Sequence, residues 1–139
     1  MQVTTGRKFI GRFGHKKDLL AEISDFCKKE NVRLGVFSVI GALTNVNMGF
    51  YDQELKKYTE CISLDKKLEI SSCIGNVSLK DNEIFVHAHI ALADHEGRAF
   101  GGHLMPGSAI FAAEFYIQEL EGNDLVRKDD PETGLSLWV

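Results

Sequence analysis

The sequence predicts an α+β domain in which a mostly antiparallel sheet packs on one main helix, and three observations carry that reading. Residues 16–30 show a clear helical period, with Leu19, Leu20, Ile23, Phe26 and Cys27 making one apolar stripe. Much of the remaining chain divides into short alternating or apolar runs, punctuated by Gly, Asn and Asp. Residues 84–104 read as two strands around Asp94-His95-Glu96-Gly97-Arg98, a hairpin signature.

In chain order, residues 8–13 predict the first strand. Gly14-His15 punctuates the start of the helix, and Asn31 suits a left-handed stop at its end. Residues 32–40 are almost continuously apolar and predict a central strand. Residues 45–51 follow, with Val46, Met48 and Phe50 on one face. Residues 55–63 are more polar and fit an edge or hairpin strand, where Lys56 and Lys57 protect the edge. Residues 67–72 and 74–80 predict two more strands before Asp81-Asn82 turns the chain into the hairpin. Residues 108–120 have the length of a helix, but Phe111, Ala113, Phe115 and Ile117 alternate, which favours a strand with Glu114 on its other face. Leu125-Val126 and residues 135–139 complete the sheet around a turn at 129–134.

Composition narrows the function classes. A chain of 139 residues, 44% hydrophobic and 26% charged, is expected to be a single domain over residues 1–139. A net charge of -4 argues against a broad, sequence-independent nucleic-acid surface. Cys27, Cys61 and Cys73 are odd in number and lack Cys-x-x-Cys spacing, so no disulfide framework is expected. The polar start and the absence of a long apolar run predict no membrane span and a cytoplasmic location.

The hairpin carries the chemistry. Along residues 84–92, parity places Phe85, His87, His89 and Ala91 on one face and the apolar residues on the other. A loop of three residues, with Gly97 left-handed, sets Asp94 opposite Arg98, Ala91 opposite Gly101 and His89 opposite His103. His87, His89 and His103 then share a face with cross-strand Cβ atoms about 5 Å apart, which suits Zn²⁺ or Fe²⁺ with water completing the shell. One more loop residue would send His103 to the other face. Strand histidines also serve as ordinary polar residues, so spacing alone leaves both readings open. Gly101-Gly102 marks either a strand bend or a place where another group comes close.

Gly41-Ala42-Leu43, Phe50-Tyr51-Asp52, Leu68-Glu69-Ile70 and Gly75-Asn76 resemble landmarks of the plants-and-prokaryotes-conserved (PPC) domain. The most specific stretch is His87-x-His89-x-x-Leu92-x-Asp94-x-x-Gly97-x-x-x-Gly101-Gly102-His103-Leu104. The resemblance covers nearly the entire chain. It implies a strongly bent antiparallel sheet on one main helix, and a homotrimer. The fold is similar to that of acetolactate decarboxylase, which binds catalytic zinc through three histidines, two of them on an H-x-H strand. His87, His89 and His103 resemble that triad. Plant members carry AT-hooks that contact DNA, which this chain lacks.

Three function classes follow. The first is a metal-supported enzyme of decarboxylase or hydrolase type acting on a small molecule. Glu114 and Glu69 are its candidate acid/base partners or extra ligands, and Arg98 is either an anion holder or the partner of Asp94. The second is a trimeric assembly module with a structural metal or none. The third is DNA binding, by family association alone.

Overall fold

Asp18 starts the helix, and it does so by capping. The computed structural model describes residues 1–139, with side chains for all but residues 59–61. Helix α1 spans Leu19–Lys29, beginning later than the apolar period predicts. Lys16 has φ 63°, outside the helical region, and Asp18 Oδ1 accepts from the Ala21 N–H at 2.8 Å. Asp18 Oδ2 accepts from Gly107 N and Ser108 N at 2.7 and 2.8 Å, tying the cap to a distant loop. Asn31 stops the helix with φ 52°.

The strands are β1 (Thr4–Phe13), β2 (Gly35–Leu43), β3 (Val46–Asp52), β4 (Lys57–Leu64), β5 (Leu68–Lys80), β6 (Glu83–Ala93), β7 (Ala99–Leu104), β8 (Ile110–Glu121), β9 (Val126–Asp129) and β10 (Ser136–Trp138). They form one strongly bent sheet in the order β1-β8-β2-β5-β6-β7-β3-β4. All pairings are antiparallel except β5 with β9. Strand β5 carries one extra residue between Ile70 and Cys73, which shifts its register against both neighbours, β2 and β6. The bulge there adds twist and curls the sheet around the helix.

The inner face carries the core: Leu19, Ile23 and Cys27 of α1 against Val39, Cys73, Ile90 and Ile117 among others. Each such aliphatic side chain, fully buried, contributes about 1.5–3 kcal/mol. The expected α+β class with one main helix therefore holds.

Three local expectations are corrected. Leu68–Lys80 forms one strand in place of the two expected over residues 67–72 and 74–80, because the bulge after Ile70 bends β5 without ending it. Strand β2 is central, but only one of its faces is buried, and Val36 and Ile40 stand in the open. Phe111 does not share a face with Ala113, Phe115 and Ile117. A register shift between Ala42 and Leu43 lets Ile110 take the core position, and Phe111 turns out to pack edge-on against His15. Of the cysteines, Cys27 and Cys73 are buried free thiols, and burial pushes both pKa values up to about 12. The Cys61 side chain lies outside the described ones.

Candidate metal centre

Asp94 fixes the length of the β6–β7 loop. Its side chain is 1% exposed, and Oδ1 accepts from the backbone N–H groups of Glu96 and Arg98 at 3.0 and 3.1 Å. Oδ2 accepts from Arg98 Nε at 2.9 Å and Lys66 Nζ at 3.2 Å. Burial alone would raise this carboxyl, but those donors together hold it well below the usual carboxylate range. Gly97 adopts φ 76° and donates to Asp94 O at 2.9 Å. The loop is thus His95-Glu96-Gly97, and the ladder pairs Ala91 with Gly101 and His89 with His103.

Two glycines let neighbouring strands close on β6. A Cβ on Gly101 would lie 2.3 Å from Ile90 O, and one on Gly75 would lie 2.2 Å from His87 O. The space at Gly101 is therefore filled by the hairpin's own backbone.

The three imidazoles form a nearly equilateral group. Ring centroids are 5.2 Å apart for His87 and His89, 4.9 Å for His87 and His103, and 5.4 Å for His89 and His103. One ring nitrogen from each lies within 4.8 Å of the others. Three nitrogens at about 2.1 Å from one tetrahedral ion would sit roughly 3.4 Å apart, so small side-chain rotations close the gap. The donor set fits a divalent metal. Burial, then Arg127 and His89, lower the His87 pKa. Burial, then His87, His89 and Arg127, bring His103 to about 4. Both rings are therefore neutral at pH 7 and keep a lone pair to donate.

Tyr58 and Arg127 complete the surroundings. Tyr58 Oη lies 3.3 Å from His103 Nδ1, with the two rings 5.0 Å apart. Arg127 arrives through β9, which pairs alongside Leu79 and Lys80 beyond the end of β2. Its Nε donates to Ser78 Oγ at 2.9 Å, one Nη to Ser136 O at 2.8 Å and the other to Asn76 Oδ1 at 2.8 Å. The guanidinium also lies 5.2 Å from the Phe85 ring centre and 5.3 Å from that of Trp138. The histidines, Tyr58 and Arg127 line a cavity of about 760 Å³.

The structure does not bring Glu114 or Glu69 to the histidines. Glu114, on β8, pairs with Arg12 and Ile40, three strands from His89 in the sheet, or roughly 14 Å at the usual strand spacing. Glu69 pairs with Ala93, four residues along β6 from His89, or roughly 13 Å. Arg98 is engaged by Asp94 and Glu96. Sequence reasoning missed Tyr58 and Arg127, whose positions are set by long-range pairing and carry no local signal.

A family model for the Plants and Prokaryotes Conserved (PCC) domain matches residues 1–121. This chain belongs to that family. A solved PPC protein from Pyrococcus horikoshii is 42% identical, with a TM-score of 0.93 over 99% of this chain and 94% of that one. A protein from Archaeoglobus fulgidus, described as metal-containing, is 37% identical, with a TM-score of 0.94 over 99% and 96% of the two chains. One from Bacteroides thetaiotaomicron, provisionally described as DNA-binding, is 22% identical and shares the PPC fold at a TM-score of 0.87 over 99% and 96%. The bifunctional protein GlmU of Synechococcus sp. (strain JA-3-3Ab) is 33% identical over 120 residues, which are 85% of this chain and 18% of that protein. The PPC chain thus spans about a fifth of the curated relatives it matches.

Proposed function

We propose that this PPC-domain chain binds a divalent metal through His87, His89 and His103, zinc in the first place and iron as the alternative. The carrying observation is that three imidazole nitrogens from adjacent strands lie within 4.8 Å of one another. The metal-containing description of the Archaeoglobus fulgidus protein supports it. An ion held by three neutral imidazoles keeps a coordination position open and supplies Lewis-acid polarisation or an acidified water.

The site then serves small-molecule chemistry of decarboxylase or hydrolase type inside the cavity. Among the described residues, Tyr58 sets a proton-bearing hydroxyl 3.3 Å from His103 Nδ1, while the carboxylates of Glu114 and Glu69 stand too far away to act on the same ligand within one chain. Elemental analysis of the native protein beside His87→Ala and His103→Ala tests the metal. About one equivalent per native chain, lost in both variants, is expected. Less than about a tenth of an equivalent in the native protein would refute it.

The chain is further proposed to work as a homotrimer. Ladder partners place Ile10, Tyr116, Ser38, Ile74 and His89 in one row across the sheet's outer face. Ile10, Ile74 and Tyr116 in that row are 87%, 59% and 38% exposed, and neighbouring Ile40 is 57% exposed. A closed symmetric assembly would cover such apolar side chains. DNA association has less support, since the net charge of -4 opposes phosphate contacts.

A further inference from the structure

We infer that the cavity over the three histidines takes a small ligand bearing an oxyanion, seated by the Arg127 guanidinium. This deepens, and rests on, the reading of that cavity as a metal-supported small-molecule site.

Arg127 is 7% exposed, yet its partners Ser78, Asn76 and Ser136 O are all neutral. Among the described residues it makes no ion pair. A buried guanidinium lacking an anion is costly, and arginine remains charged at any ordinary pH. Three of its five N–H groups are used by those neutral acceptors, which leaves two for a ligand. The rings of Phe85 and Trp138 hold the guanidinium in place, so little side-chain freedom is lost when a ligand docks.

The charge around the cavity points the same way. The chain is acidic overall, but among the described residues Lys56, Lys57, Lys80 and Arg127 line this cavity against one carboxylate, that of Asp129. Asp129 is itself 3.9 Å from Lys80 Nζ and is 88% exposed at the side chain. A cationic cavity in an acidic protein concentrates field lines and draws small anions. Carboxylate and phosphate share the donors they need, and a planar fork serves either.

The test uses the full chain with its metal content measured in every sample. Inorganic phosphate, malonate and the neutral isostere malonamide are titrated by calorimetry, and by the fluorescence of Trp138, the only tryptophan in the chain. At least one anion is expected to saturate the site, and the two separate titrations tell phosphate from carboxylate. Malonamide should bind about tenfold more weakly or worse, and Arg127→Lys should weaken the anion by about tenfold without lowering the metal content. Should Arg127→Lys fail to fold, the malonate–malonamide ratio decides alone, with Lys80→Gln expected to weaken the anion about threefold. Binding of neither anion, equal binding of malonamide, or an unaffected folded Arg127→Lys would overturn the inference. Anion binding without any metal would instead refute the metal reading and leave this one standing.

Discussion

His89 stands directly across from His103 on the β6–β7 ladder, their ring centroids 5.4 Å apart. That relationship depends on a loop of three residues held by the Asp94 carboxylate. Side chains alternate along a strand, so the pairing is sensitive to a change of one residue.

Inserting one glycine between Glu96 and Gly97 should therefore move His103 to the core face. The expected outcome is a metal content at least about tenfold below the native one. Elemental analysis checks it, with circular dichroism reporting that the sheet persists.

Gly101→Ala should cost more than Gly97→Ala. The first places a Cβ 2.3 Å from Ile90 O, while the second meets nothing within 4 Å and only strains a φ of 76°. Losses of about 1–3 kcal/mol and about 1 kcal/mol are expected from urea unfolding.

The fold class was readable because its signals are local. The helical stripe around Ile23 and the parity of residues 84–92 follow from side-chain direction alone. The His89–His103 pairing was readable because Gly97 sits where a three-residue loop needs a left-handed residue. Tyr58 and Arg127 were not readable, since the β3–β4 hairpin reaches the site through the pairing of β3 with β7 and β9 through its pairing with β5, both between segments far apart in the chain. Phe111 misled because it is the extra residue of a bulge in β8, seen only against β2, where Ala42 and Leu43 pair with Ala112 and Ile110.

Removing the Tyr58 hydroxyl should loosen His103 without removing a ligand. Tyr58→Phe is expected to retain the metal but weaken its affinity by about tenfold, measured by competition with a chelator.

Acidification should destabilise the metal-free protein in two stages. His103 titrates at about 4 in the fold and at about 6.5 when unfolded, so the unfolded chain binds more protons between those values. Stability falls as pH drops through that window, by on the order of 1 kcal/mol between pH 7 and 5. His103→Gln should flatten that slope. Asp94 acts at lower pH: its depressed carboxyl contributes stability above the ordinary carboxylate range and loses it as pH falls through the folded value. Asp94→Asn should show a smaller loss below pH about 4, read from urea midpoints across the series.

A charge on the outer face should break assembly. Ile74→Lys is expected to reduce the mass in light scattering from about three times 15.5 kDa to a single chain, with the helix signal unchanged.

Anomalous diffraction from crystals of the native protein tests the central claim most directly. The account predicts one strong peak bonded to nitrogens of His87, His89 and His103, at about 2.0–2.1 Å if the metal is zinc. A map in which those three rings surround only water, from protein never exposed to a chelator, would contradict it.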